Sequence, residues 1–485
     1  MRRSGILLHP TSLPGECGIG DLGRWAYRFV DFLVESGQQL WQVLPLGPAG
    51  FGYSPYQAHS SIAGNPLLIS LQSLVEQGWL APEDLSRTPR FPDSTVDFDA
   101  VIPFKWKLLK KAAAAFFRRE SGPLRQEFVK FCTEMRSWLD PYAEYAALKE
   151  ANPETVWTCW ISKSAADPEI IREQQFIQFE FFRQWTSLKD YCSEQGIQIM
   201  GDIPIFVAHD SADVWANPEL FDLDERGNPK SIAGVPPDYF SKTGQCWGNP
   251  LYRWDMMEKT GYGWWIDRVR YTLNLFDIVR LDHFRGFEKY WRIPAGSRTA
   301  VSGRWVDGPG DRLFQALHES LGKLPFIVED LGYITPEVHQ LRDRWGFPGM
   351  RVLQFGFGDQ SPDNPHKPYN YIPNCVAYTG THDNDTSAGW FSAKTDAPGR
   401  AERELAIRYM GSSGTGVVWD FIRLALSSVA NTVILPMQDV LGLGTEARMN
   451  TPATTKNNWI WRMREDQLES APAARLREMN LNYGR

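Results

Sequence analysis

Short apolar runs closed by polar, glycine or proline residues recur along the whole chain, and the stretches between them repeat their apolar residues at helical spacing. The runs read as strands are residues 5–8, 40–46, 198–207, 276–284, 326–330, 350–357, 376–381 and 432–437, eight in all. Helical periodicity occupies most of the intervals, at 22–36, 264–275, 311–321, 336–344 and 416–428. Eight strands alternating with helices predict an α/β chain of the (β/α)8 TIM barrel type. Its chemistry would lie on the loops that follow the C-terminal ends of the strands.

Some intervals exceed a simple crossover and predict insertions into one catalytic barrel spanning residues 1–485. Residues 71–195 are rich in helix formers, with 105–119 and 174–191 the clearest amphipathic stretches, and predict a helical subdomain. Residues 211–255 are rich in Pro, Gly, Asp and aromatics and predict a loop-rich insertion. A smaller one at 288–310 carries Trp291 and Trp305. No separate C-terminal β domain is expected after Asn450.

Composition changes the picture in a few respects. With 43% hydrophobic and 22% charged residues the chain has ample material for a core. The 51 basic residues against 58 acidic ones give a net charge of −7, and no basic stripe is present to track phosphates, so nucleic acid is not an expected partner. No apolar run approaches a membrane span. The opening Met1-Arg2-Arg3-Ser4-Gly5-Ile6-Leu7-Leu8 is broken by His9, Pro10 and Pro14 and reads as the first strand, not a signal. Six scattered cysteines without CxxC spacing fit a reducing cytoplasm. The 20 Trp, 17 Tyr and 27 Phe are mostly core material, but flat rings with a polar edge also suit the C–H faces of sugars.

Acids at strand ends are the sharpest chemical signal. Val279-Arg280-Leu281-Asp282 and Phe326-Ile327-Val328-Glu329 each run an apolar strand into a carboxylate, and Thr379-Gly380-Thr381-His382-Asp383 supplies a third. A carboxylate leaving water must be paired or hydrogen-bonded, so three at equivalent strand ends point to a catalytic pocket. Arg280 and Asp282, two apart on a strand, face the same side; this arrangement suits an ionised nucleophile and equally a structural ion pair. Glu329, beside apolar walls and near another acid, is placed for a raised pKa and proton donation, although an acid opening the next helix would look the same. Asp383 could offset an oxocarbenium-like charge. His382, Asp383 and Asp385 match no metal-ligand spacing. Phosphate loops, a GxGxxG placed between strand and helix and a GxSxG elbow are absent, and Cys246 has no evident His partner.

Taken together the strings resemble the 4-α-glucanotransferase (amylomaltase, disproportionating enzyme) family over nearly the whole length. The resemblance rests on Gly5-Ile-Leu-Leu-His-Pro-Thr-Ser-Leu-Pro-Gly15, Trp41-Gln-Val-Leu-Pro-Leu-Gly-Pro48, Ser54-Pro-Tyr-Gln57, Gly64-Asn-Pro66, Gly201-Asp-Ile-Pro-Ile-Phe-Val-Ala208, Pro236-Pro-Asp-Tyr-Phe240 and Trp247-Gly-Asn-Pro-Leu-Tyr252. It continues in Arg280-Leu-Asp-His-Phe-Arg-Gly286, Glu329-Asp-Leu-Gly332, Gly380-Thr-His-Asp-Asn-Asp-Thr386 and Arg448-Met-Asn-Thr-Pro452. It implies retaining transfer of α-1,4-glucan segments to a glucan or to glucose, with neither metal nor cofactor. In that scheme Asp282 is the nucleophile, Glu329 the acid/base and Asp383 the transition-state stabiliser. It further implies substrate contacts from Arg280 and His382, from Ser54 and Tyr56 at the donor side, and from Asp210, Trp247, Asp359 and Asn450 along the groove. For a retaining course the two reacting carboxyls are expected about 5–5.5 Å apart. Residues 236–250, with Tyr239, Phe240 and Trp247 around a mobile tip at 242–244, are the expected lid that excludes water. At Phe51 some relatives carry a Tyr thought to belong to a second, remote glucan site, and the lost hydroxyl leaves only stacking there. An α-glucan hydrolase using the same acids and a catalytically silent sugar-binding barrel are the alternatives.

Overall fold

In the computed structural model, residues 2–119, 121–160, 165–237, 241–359 and 361–485 are described. Twelve strands are present among them: β1 (Arg3–Leu7), β2 (Leu40–Gln42), β3 (Gln198–Ile203), β4 (Ser231–Val235), β5 (Gln245–Pro250), β6 (Ile278–Leu281), β7 (Lys289–Pro294), β8 (Arg304–Asp307), β9 (Phe326–Val328), β10 (Gly349–Val352), β11 (Cys375–Tyr378) and β12 (Thr432–Pro436). Eight of them close a parallel barrel in the order β1-β12-β11-β10-β9-β6-β3-β2. The chain is thus a (β/α)8 barrel, with Arg24–Glu35, Gly263–Leu275, Asp311–Leu321, Pro336–Arg344 and Val417–Ser427 among the helices between its strands.

Side-chain alternation explains why these strands are apolar nearly throughout. Leu7, Leu40, Met200, Ile278, Ile327, Met350, Val376 and Ile434, one from each barrel strand, fill the interior. Their neighbours Ile6, Trp41, Ile199, Val279, Val328, Ala377 and Val433 face outward into the larger cluster beneath the helices. A parallel strand buried on both faces carries apolar residues at odd and even positions alike. Any acid that continues the inward set is therefore held in the barrel mouth. Inside the ring the Tyr378 hydroxyl donates to Gln42 Oε1 at 2.9 Å.

Between β2 and β3 lie the helices Leu71–Glu76, Phe98–Arg118, Pro123–Glu134, Arg136–Ala151 and Pro168–Glu194. Strand pairing runs through the segment expected to be loop-rich and links it to the smaller insertion. Residues from 211–255 and from 288–310 join in one four-stranded antiparallel sheet, β5-β4-β7-β8. Its strands are short and interrupted by Gly234, Gly248 and Pro250, and β4 pairs with β7 across a long interval, so no local alternation signals them. The tip of the expected lid makes backbone hydrogen bonds of its own. Gly244, at φ +66°, closes a turn by donating to Ser241 O at 3.1 Å, and Thr243 O accepts from Ala300 N at 2.9 Å. Among the described residues no helix is long and apolar enough to cross a membrane.

Candidate active site

The inward register carries straight into the chemistry. On β6, Ile278 points inward, so Arg280 and then Asp282 do so too; on β9, Ile327 is followed by Glu329; on β3, Met200 is followed by Asp202. The Arg280 guanidinium, with its side chain only 4% exposed, donates to Asp282 Oδ1 at 2.8 Å and to Asp202 Oδ2 at 2.6 Å. Burial alone would lower its pKa, yet the two acids carry it well above the ordinary arginine value. Asp202 is pushed up to about 7 by burial, against the pull of Arg280.

Glu329 meets Asp282 through one peptide. Its Oε2 accepts from the backbone N–H of His283 at 2.9 Å and its Oε1 from Leu331 N at 2.7 Å. Asp282 N in turn donates to Ile203 O at 2.9 Å, and His283 takes a left-handed φ of +50°, which turns the chain sharply behind the carboxylate. Burial first and the Asp282 charge second push Glu329 up to about 8, with Arg280 and the Leu331 N–H acting in the opposite sense. A carboxyl so placed holds its proton at neutral pH.

Its neighbour in sequence points the other way. Asp330 faces out of the barrel, fully buried, with Arg342 at 2.6 Å, Arg351 at 3.4 Å and Met350 N at 2.7 Å. Replacing Asp330 with Ala leaves two buried guanidinium groups short of an acceptor, and we expect a loss of about 3–5 kcal/mol, read as a lower urea midpoint. An unchanged midpoint would show that this pair does not brace the β9 end.

The third acid sits across the mouth. Asp383, with its side chain 46% exposed, accepts from Asn450 Nδ2 at 2.7 Å and lies 3.4 Å from His382 Nε2, while its carbonyl accepts from Arg448 Nη2 at 2.7 Å. Burial lowers the His382 pKa, so the ring is neutral near pH 7. His382 stacks on Tyr56, ring centroids 5.2 Å apart at 16°, and Trp459 closes the same wall against both rings. Ser54 accepts from Tyr56 N at 3.3 Å as an N-cap, and the Tyr56 hydroxyl donates to Asp202 Oδ2 at 2.7 Å. This last bond ties the Asp383 wall to the Arg280 pair.

Trp247 joins the site from β5, its ring edge-on to His283 at 4.7 Å. Asp210 and Asp359 do not share these contacts. The Asp210 carboxylate is engaged by Lys149 at 2.7 Å and the Tyr145 hydroxyl at 2.9 Å, both on the helical insertion. The hydrogen bonds of the exposed Asp359 carboxylate go to Ser361 and Asn364 of its own loop. Tyr239 lies outside the described residues. Phe51 is 76% exposed beside Gly52. Asp385 is turned to Thr386 N and the Thr445 hydroxyl, and among the described residues no group of three or more His, Cys, Asp or Glu is placed to hold a metal ion. Sequence reasoning missed Asp202, His283 and Trp459 as site residues. Asp202 alone carried a readable signal, an acid on the inward parity of an apolar strand.

Comparisons with known proteins show the family. A family model described as 4-alpha-glucanotransferase matches residues 8–468. The chain is 49% identical over 500 residues to the 4-alpha-glucanotransferase of Synechocystis sp., covering 100% of this chain and 98% of that protein. It is 48% identical to the 4-alpha-glucanotransferase of Thermus thermophilus, covering 99% and 98%. The solved amylomaltase from Streptococcus agalactiae in complex with acarbose superposes with a TM-score of 0.95 at 39% identity, covering all of both chains. With its barrel, its strand-end acids and these matches, the chain belongs to the 4-alpha-glucanotransferase family.

Proposed function

We propose that the three acids carry the family's 4-α-glucanotransferase activity by a retaining double displacement, in the roles the resemblance implied. The observation that supports this best is the shared peptide: the N–H of the residue after Asp282 grips Glu329, whose carboxyl is pushed up to about 8 while Arg280 sits beside Asp282. A proton donor and an anionic nucleophile thus flank one point in the mouth.

Glu329 gives its proton to the glycosidic oxygen as Asp282 attacks the anomeric carbon, forming a glycosyl ester and releasing the reducing-end fragment. Glu329, now a carboxylate, takes the proton of an acceptor's 4-hydroxyl, and that oxygen displaces Asp282. Two inversions retain the α-linkage. Asp383, held by Asn450, faces the positive charge that develops on the ring; Tyr56 and His382 supply a flat wall, and Trp247 covers the site from β5. The donors are α-1,4-glucans, and the acceptors are glucans or glucose. The cytoplasm is the compartment we assign, on the support of six cysteines that are all free thiols.

Incubation with maltotriose, following both the oligosaccharide ladder and total reducing ends, tests the reading. Transfer spreads the ladder and releases glucose at constant reducing ends. Rising reducing ends would favour hydrolysis, and no change would remove the roles given to the acids. Trp247→Ala is expected to raise reducing-end release relative to transfer, because it opens the site to water.

A further inference from the structure

We infer that Tyr333 and Trp305 form a stacking platform on the rim of the mouth for a distant glucose unit of a bound α-1,4-glucan. This inference rests on the reading of the chain as acting on such glucans. Tyr333 lies four residues beyond Glu329, on the loop that leaves β9, and the residue is 67% exposed. Four residues of chain span at most about 14 Å, so the ring stands within a few sugar residues of the acid/base.

A lone exposed tyrosine needs no explanation, but this one is held. Its ring lies beside that of Trp305, centroids 6.5 Å apart and only 23° from parallel. Trp305 projects from β8, the edge strand of the small sheet, and packs edge-on against Trp291 at 5.0 Å. Between the two loops lies Arg285. Its guanidinium stacks 3.8 Å from the Trp305 centroid and 5.6 Å from that of Tyr333, and it donates to the Tyr333 carbonyl. The Arg285 side chain is 5% exposed and lies 3.9 Å from Glu288.

Arg285 follows Asp282 by three residues, so the platform is fastened to both loops that carry the reacting carboxyls. A ring kept near-parallel to a second ring by a buried cation, yet left uncovered, is ordered before any ligand arrives. Stacking a pyranose face on it costs little further entropy. On the same pair of strands the exposed Asp307 of β8 faces Lys289 of β7 at 3.6 Å, so polar groups lie along the edge that carries Trp305. Continuity with the catalytic mouth selects a glucan chain as the occupant.

The test uses the full chain with the nucleophile removed, Asp282→Asn, titrated calorimetrically with malto-oligosaccharides from maltotriose to maltoheptaose. Affinity should rise with chain length in Asp282→Asn. Adding Tyr333→Ala should lower the affinity for maltoheptaose by about tenfold relative to that for maltotriose. Adding Tyr333→Phe should retain the length effect, since the ring face remains. An unchanged length dependence in the Tyr333→Ala protein overturns the platform, and so does a Tyr333→Phe protein that loses as much as the alanine one. If Asp282→Asn binds no malto-oligosaccharide of any length, the glucan reading falls and the platform with it.

Discussion

Replacement of Asp282 by Asn is expected to reduce transfer by about 10⁴-fold or more while leaving the fold in place. The side chain keeps its size and can still receive a hydrogen bond from Arg280, but it has no anionic oxygen to attack the anomeric carbon. The loss should appear in kcat and in kcat/KM together, because the interaction removed exists only on the way to the covalent ester. A fluorinated glucosyl donor that traps such esters should label the parent at Asp282 and leave the variant unlabelled. Labelling of the Asp282→Asn protein at another carboxylate would move the nucleophile elsewhere.

Glu329→Gln is expected to cost about 10³-fold with natural glucans, the usual scale of general acid–base assistance. With α-glucosyl fluoride as donor the first step should survive far better, since fluoride leaves without a proton. Equal losses with both donors would show that Glu329 acts by something other than proton transfer. The same residue sets two pH dependences. Activity should fall on an alkaline limb near 8 as Glu329 loses its proton. Its folded pKa lies above its ordinary 4.5, so the folded chain holds a proton that the unfolded chain gives up. The stability this contributes is complete below about 4.5 and lost as pH rises through about 8. Glu329→Gln does not titrate, so its stability relative to the parent should climb across that window. A constant difference between the two proteins would contradict the raised pKa.

The barrel and the acids placed at its mouth were legible because both follow one rule. An apolar run buried on two faces announces a parallel strand, and an acid that continues its inward parity announces the mouth. The same rule covers Asp202, whose Gly201-Asp202-Ile203 string differs from the other strand ends only in that the chain runs on into Pro204-Ile205-Phe206 with no conspicuous stop. Other features follow no local rule. Trp459 reaches Tyr56 and His382 from a loop far along the chain, at φ +65°, and nothing near Trp459 in sequence marks that contact. The small sheet is set by pairing between two separate insertions, which one-dimensional alternation does not record. Asp210 was expected along the groove through the family resemblance alone. Its partners, Tyr145 and Lys149, come from helix Arg136–Ala151, and only the folded chain brings them near.

The ring of strands closes between residues 3–7 and 432–436. Beyond that seam the chain returns to the mouth, where Asn450 grips Asp383, Trp459 backs Tyr56, and Ser12 exchanges hydrogen bonds with Trp461 and Met463 at 2.8 Å each. The wall opposite Asp282 is therefore assembled from the two ends of the sequence, whose meeting carries the largest loop-closure entropy in the molecule. During refolding, secondary structure and tryptophan burial can recover on contacts within each βα unit. Glucan transfer requires that seam, so the return of enzymatic activity reports its closure separately from the burial of the rest of the core.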